Sequence, residues 1–329
     1  MLNNKSILIT GGTGSFGQKF VKTVLSLYNP KRLVVFSRDE FKQYEMQCRF
    51  SPVDYPCLRY FLGDIRDPDR LHRAFANIDV IIHAATLHDV PACEYNPYEA
   101  VKTNIIGSQN IVEAAIDRNV PKVIAISTEE AANPVSLFGA TKLCSDRLFV
   151  SGNSYAGSGG TRFSVARFGN FIGCQGDLPG RFLKASLSGK VSIADPEMTR
   201  FFMPVQKAVE FTVSSLEVMN GGEIFIPKSP SMSVGDMLDA LCPDAEVKVK
   251  GLSLGEEKHC VMIPGSEAAN TYEYDDRYVI QPVYRYFERA EVGGSGQKVA
   301  QGFEYVSNKN GYRISKEELC RLAEVRGKC

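Results

Sequence analysis

The stretch STEEAANPVSLFGATK (127–142) sets two carboxylates, Glu129 and Glu130, side by side after the apolar run KVIAIS, with Lys142 further along. Adjacent carboxylates at the end of a buried segment are expensive unless the chain has emerged into a cleft. In a cleft the pair repels, one pKa rises, and an acid or base usable near neutral pH results. Consecutive strand residues point to opposite faces, so a chain extended through 130 would let only one of the two face a substrate. The competing reading is an exposed acidic turn without chemistry. Upstream, His88 and Asp89 in LHDVP form a second candidate acid/base element, although a lone histidine can equally satisfy a structural hydrogen bond. His83, inside VIIHAA, reads as structural.

The segment ITGGTGSFGQKF points to a different chemistry. Gly11, Gly14 and Gly17 follow an apolar run and open a helical pattern, with Thr13, Ser15 and Phe16 between them. Glycines at this spacing let the chain turn tightly, approach a pyrophosphate and pack helix on sheet, leaving helix N–H groups facing the phosphates. A plain tight turn is the alternative, and it loses force because SRDE and LGDIRD end the next two apolar runs. Arg38 stands about 20 residues past the glycines, where an acidic residue would hold the ribose hydroxyl of NAD. A guanidinium beside Ser37, followed by Asp39 and Lys42, suits the extra phosphate of NADP, which is therefore expected over NAD. Asp64 and Ile65 are placed at the adenine, and Ala84, Ala85 and Thr86 at the nicotinamide. Small core residues at a strand end would look the same as the latter three.

Positioning these groups requires a particular scaffold. Nearly continuous apolar runs at 6–10, 32–37, 58–64, 80–85 and 122–128 predict strands buried on both faces of a parallel sheet. Helical patterns at 15–28, 39–50, 67–76, 96–118 and 136–150 alternate with them, and that rhythm predicts a doubly wound α/β fold. SGNSYAGSGGT (151–161) reads as a Gly/Ser-rich loop and RFSVARFGN (162–170) as another strand. Beyond about 175 the pattern changes to mixed short elements, a smaller α/β substrate lobe. In it, 224–241 reads as a strand, a Pro-marked turn and a helix begun near Ser233, while polar, Gly-rich 288–312 reads as a surface tail. The expected division is 1–175 for the dinucleotide domain, with some later segments returning to it, 176–287 for the substrate lobe, and 288–329 for a C-terminal tail and helix.

Composition removes several classes of function. Lys plus Arg and Asp plus Glu are 38 each in 329 residues, so no global field favours nucleic acid or acidic membranes. Nine scattered cysteines without a C-x-x-C pair suggest reduced thiols rather than a zinc site or disulfide framework, and no metal is expected. No run approaches the ~18 apolar residues of a membrane helix, and MLNNKSILITGG enters a strand directly, leaving no room for a signal peptide. A soluble, cytoplasmic protein is expected.

Taken together, MLNNKSILITGGTGSFG, SRDEFKQYEM, EYNPYEAVKTNIIGSQN, NPVSLFGATKLCSD, TRFSVARFGN, MTRFF, GGEIFIPKSPSM and GQKVAQGFEY resemble the extended short-chain dehydrogenase/reductase superfamily. The likeness is to the inverting UDP-N-acetylglucosamine 4,6-dehydratases that begin pseudaminic acid biosynthesis, and it covers nearly the whole chain. It implies Lys142 and Asn104 at the cofactor, and Asn170, Arg200, Glu256 and His259 toward substrate; Arg181 reads either as a bidentate donor to a diphosphate or as half of a surface salt bridge. It implies a homo-oligomer and a UDP-linked amino sugar as substrate.

The chain departs from the pattern implied by that resemblance where substrate would lie. Thr128 is kept, but Glu129 and Glu130 stand for Asp-Lys, and Phe138 replaces the tyrosine of the Tyr-x-x-x-Lys pair. His88 and Asp89 replace Lys-His, Ser253 an arginine, and Cys174-Gln175 Ser-Arg. The resemblance implies oxidation at the sugar C4, proton loss at C5 and departure of the 6-hydroxyl. On that reading Glu130 takes the C5 proton, Glu129 handles the leaving hydroxyl's proton, and Lys142 orients the cofactor. The 4-hydroxyl base is Asp89, His88 or a water held by Thr128. Two alternatives stay open at this point. One is an epimerase or a dehydratase of different regiochemistry; the other is a non-catalytic homologue that binds NADP or a sugar nucleotide.

Overall fold

The computed structural model describes residues 1–174, 176–253, 255–284 and 296–324. The N-terminal half alternates as expected: β1 (Ser6–Thr10), α1 (Ser15–Leu27), β2 (Arg32–Ser37), α2 (Glu40–Arg49), β3 (Leu58–Leu62), α3 (Pro68–Ala74) and β4 (Val80–His83). There follow α4 (Val90–Tyr95), α5 (Pro97–Ala100), a π-helical stretch at Val101–Ile106, α6 (Gly107–Asp117), β5 (Lys122–Thr128), a 3-10 turn at Glu129–Ala131, α7 (Leu137–Ala156) and β6 (Arg162–Phe168). The rest comprises β7 (Asn170–Ile172), α8 (Leu178–Ser186), β8 (Lys190–Ile193), β9 (Thr199–Pro204), α9 (Val205–Val218), β10 (Ile224–Pro227), β11 (Ser231–Ser233) and α10 (Val234–Leu241). Last come β12 (Glu246–Val249), β13 (Val261–Ile263), β14 (Thr271–Glu273), β15 (Arg277–Ile280), β16 (Gln297–Lys298), β17 (Tyr305–Val306) and α11 (Lys316–Glu324).

One ten-stranded sheet runs in the order β16-β14-β15-β10-β6-β5-β4-β1-β2-β3. The seven strands from β10 to β3 are parallel, and β15, β14 and β16 add an antiparallel edge. The chain first builds outward from β1 to β3, then returns to the other side of β1 with β4. The order therefore reverses between β1 and β4, and ligands of such sheets bind outside the carboxyl ends of the strands at that point. Apolar side chains of β1 divide between two cores, Leu8 on one face and Ile7 and Ile9 on the other. That is why these strands read as unbroken apolar runs. A third core, including Phe182, Phe202, Met237 and Leu319, ties α8, β9, α10 and α11 into the C-terminal lobe.

Two local expectations are corrected. The loop expected from 151 is helical through Ala156, because buried Asn153 holds the last turns of α7 to β6. Its amide donates to the Phe149, Val150 and Phe163 carbonyls, and its oxygen accepts from Phe163 N–H at 3.0 Å. The second concerns the expected surface tail at 288–312, of which 288–295 lies outside the described residues. From 296 onward the chain pairs β16 with β14 and β17 with β13, and Tyr305, Val306 and Ser307 are buried. Three inward residues suffice to anchor a segment whose polar, Gly-rich composition says surface. Among the described residues no helix is long and apolar enough to cross a membrane, and no group of side chains is arranged to hold a metal ion.

Candidate active site

A cleft of about 630 Å³ opens along the carboxyl ends of β1, β2, β4 and β5. At one end it is walled by the β1–α1 loop. Gly11 sits at φ +66°, and a Cβ there would lie 2.7 Å from the Ala85 nitrogen. A Cβ on Gly17 would lie 2.5 Å from the Gly12 Cα, so only hydrogen fits where α1 crosses the loop. Gly14 caps α1 without a side-chain hydrogen bond, and the first turn carries no acidic residue. The helix N-terminus thus presents N–H groups and partial positive charge, which suits a pyrophosphate.

The expected cofactor residues gather here. Thr13, Ser15 and Phe16 line the cleft with the three glycines, and Thr13 Oγ1 bonds Ser37 Oγ at 2.8 Å. Arg38, Asp39 and Lys42 form the far rim, where Asp39 caps α2 by accepting from the Lys42 N–H at 2.9 Å. Arg38 is half exposed and pairs with Asp64 at 3.7 Å. Burial works against the Asp64 charge, but hydrogen bonds from Arg66 hold its carboxyl below the usual range. Ile65, Ala84, Ala85 and Thr86 complete this wall. Asn104 is behind it, not on it. Its carbonyl oxygen accepts from Thr86 Oγ1 and Leu87 N–H, and its amide donates to the Leu87 carbonyl and Thr141 Oγ1, bolting the loop to α7.

At the opposite end, β5 stops at Thr128 and the 3-10 turn swings the two glutamates apart. Glu130 lines the cleft with Thr128, His88, Phe138, Lys142, Asn170 and Arg181. Glu129 is buried behind Thr128 and is not among the lining residues. Its carboxylate accepts from Thr128 Oγ1 at 3.0 Å, Asn170 Nδ2 at 2.9 Å and Cys260 Sγ at 3.6 Å. Burial, and next the Glu130 charge, push Glu129 up to about 7. Burial also raises Glu130, while a 3.0 Å hydrogen bond from Ser136 and the Arg200 charge pull it back. Lys142 is buried and donates to the Ile126 carbonyl at 3.0 Å. Burial lowers its pKa, and the Asp146 charge opposes that. Phe138, 6% exposed, packs against Cys93 and Ala100 and offers no polar atom.

Several expected residues are not on this surface. Asp89 caps α4, accepting from Ala92 N–H at 2.8 Å, which leaves it outside the cleft lining. Arg200 donates to the carbonyls of Thr199, Glu257 and Lys258 and reaches the glutamates only as charge. Glu256 is exposed and accepts from the Ser253 N–H, and His259 bonds Thr199 Oγ1 at 2.8 Å. Both lie away from the cleft lining. His83 meets its structural expectation: buried, it bonds Thr10 Oγ1 at 2.8 Å, and burial with the Lys142 charge holds it down to about 3. Ser136 and Cys260 were missed. Ser136 carries the signal of a helix N-cap, accepting from the Gly139 N–H at 3.0 Å. Cys260 carries no signal, because its tie to Glu129 spans 131 residues of chain.

The family described as polysaccharide biosynthesis protein matches residues 7–282. The UDP-N-acetylglucosamine 4,6-dehydratase (inverting) of Campylobacter jejuni serotype O:2 is 44% identical over 330 residues, covering 98% of this chain and 98% of that one. The crystal structure of Pen from Bacillus thuringiensis matches with a TM-score of 0.89 and 33% identity, covering 100% of this chain and 99% of its own. DesIV, a dTDP-glucose 4,6-dehydratase from Streptomyces venezuelae solved with NAD and TYD, matches with a TM-score of 0.65 over 77% of this chain and 86% of its own. At 23% identity it bears on the fold alone.

Proposed function

Because the chain belongs to the polysaccharide biosynthesis protein family, with the fold of the extended short-chain dehydrogenases, we propose that it is a nucleotide-sugar dehydratase using a bound nicotinamide dinucleotide. The substrate class is a UDP-linked amino sugar, UDP-N-acetylglucosamine first, as the 44%-identical relative's name suggests. The carrying observation is one cleft that runs from an uncapped helix N-terminus to Glu130 and Lys142. The glycine cradle fits a pyrophosphate. NADP is preferred over NAD because Arg38, half exposed with a long ion pair, can turn to a ribose phosphate. In this reading residues 1–175 hold the dinucleotide, with β10, β14 and β15 returning to their sheet; the rest of 176–287 faces the sugar nucleotide, and 288–329 form a C-terminal tail and helix. The same family likeness favours a cytoplasmic homo-oligomer.

When bound, the nicotinamide ring supplies the hydride acceptor at the sugar C4 and later the donor at C6. Lys142 orients the cofactor ribose. Glu130, on the cleft wall, takes the C5 proton that the C4 ketone acidifies. Glu129, behind the wall and poised near pH 7, exchanges a proton with the leaving hydroxyl through the Thr128 hydroxyl. With Asp89 spent as a cap, His88 or a water on Thr128 takes the 4-hydroxyl proton. Asn170 and Arg181 face the sugar and its diphosphate. Arg200, Glu256 and His259 act on substrate only indirectly, through the segment they brace.

Incubation with UDP-N-acetylglucosamine and NADP, read by mass spectrometry, tests this. Loss of one water from the substrate is expected with the wild type. Product from Phe138→Tyr alone would mean a blocked dehydratase, and product from neither would favour the binding-protein reading.

A further inference from the structure

Lys142 stands at the inner end of a chain of charges whose other members the reaction above does not use. Asp146 lies one turn further along α7 and is 1% exposed; Arg167 on β6 is fully buried. Arg167 Nη2 approaches Asp146 Oδ2 at 3.6 Å, while Nη1 donates to Glu267 Oε2 and to the Met262 carbonyl, each at 2.9 Å. Glu267 in turn accepts from Arg147 at 3.1 Å, and Arg147 is 54% exposed. The signs alternate from the cleft to solvent: Lys142, Asp146, Arg167, Glu267, Arg147.

The hydrogen bonding says what Asp146 is for. Neither of its oxygens, nor Arg167 Nε or Nη2, makes a well-formed hydrogen bond, and the Ser127 hydroxyl that faces the carboxylate from β5 gives it only weak support. A carboxylate serving only as structural glue would be wrapped in donors, since an unmet buried acceptor is costly. Burial pushes its pKa up, the Arg167 charge and then that of Lys142 work against this, and what it supplies as an anion is charge at short range in a poorly screened interior. The inner four charges sum to zero, and a buried set of this kind persists only while it stays balanced.

We propose that Asp146 is a positioning residue for Lys142: its negative charge, anchored through Arg167 and Glu267, keeps the Lys142 amine an ammonium directed at the cleft. The inference rests on the reading of that cleft as a dinucleotide site with Lys142 at the ribose. The charged or titratable groups facing Lys142 are Asp146 from its own helix and His83 from β4, which burial holds neutral with a pKa of about 3. Those facing Asp146 are Lys142, Arg167 from β6 and Glu267 from the 3-10 turn at Gly265–Asn270.

The test is Asp146→Asn in protein labelled with ¹⁵N-lysine, with the Lys142 signal assigned by its loss in Lys142→Met. The Lys142 titration midpoint is expected to fall by about one pH unit or more. In NADPH titrations the loss of affinity relative to the wild type should grow as pH rises, because the variant's Lys142 gives up its proton at lower pH. In the double variant Asp146→Asn, Lys142→Met, the loss should be no greater than in Lys142→Met alone. If Asp146→Asn does not fold, Asp146→Ser, neutral and smaller, should lower the Lys142 midpoint in the same direction. An unmoved Lys142 midpoint, or losses that simply add in the double variant, would overturn the proposal. Failure of wild-type protein to bind NADPH while the midpoint still falls would overturn the dinucleotide reading and leave the Asp146–Lys142 coupling standing.

Discussion

At the β1–α1 end the cleft is shaped by missing side chains, with Gly11 and Gly17 letting backbone approach to distances no Cβ tolerates. At the β5–α7 end it is shaped by ionisable side chains held out of water: Glu129, Lys142, Asp146 and Arg167 are all under 9% exposed. The first end is set by sterics, so it should be indifferent to pH and intolerant of any added atom. The second is set by electrostatics, so conservative isosteres and pH should move it strongly. Both ends hang on one parallel sheet. The contrast therefore separates what the fold fixes from what the charges tune.

The largest effect is expected from Glu130→Gln, which keeps the shape of the wall and removes its base. Turnover should fall about 10²- to 10⁴-fold with little change in cofactor binding. Steady-state rates set beside NADPH titration check this, and a rate within a few-fold of wild type would move the C5 chemistry elsewhere.

Glu129 bears on stability. Its pKa rises from 4.5 to about 7 on folding, chiefly through burial, so the folded state binds the proton more tightly than the unfolded chain. The resulting stability is fully present below about 4.5 and is lost as pH rises through about 7, by up to roughly 3 kcal/mol. Denaturant melts between pH 5 and 8 should show this decline, and Glu129→Gln should flatten it.

Gly17→Ala probes the steric end. A Cβ against Gly12 backbone should cost about 1–3 kcal/mol and weaken NADPH binding equally at pH 6 and pH 8. A pH-dependent loss there would blur the contrast. The smallest effect belongs to Ser136→Ala, which removes both the α7 cap and a donor to Glu130. About 1 kcal/mol of stability should go, and the Glu130 carboxyl should rise further, visible as a shifted acid limb of the rate profile.

Legibility in the sequence follows the same divide. The glycine spacing and the β1, β2, β4 and β5 runs were readable because sterics and two-sided burial leave local patterns. The adjacency of Glu129 and Glu130 was readable too, but not that the chain turns after Thr128 and puts one glutamate on the wall and the other behind it. Asp89 looked available, although LHDVP carries the signal of an N-cap aspartate followed by a first-turn proline. The Asp146–Arg167–Glu267 chain joins residues far apart in the sequence, and no local pattern could announce it. Burial of Tyr305 was hidden in a polar stretch for the same reason.

The most direct test of the account is the reaction of UDP-N-acetylglucosamine in deuterated water, with the product read by NMR. The account predicts a C6 methyl group and deuterium at C5 from the wild type, with both absent from Glu130→Gln. A product that keeps its C5 proton, or one formed equally by Glu130→Gln, would contradict it.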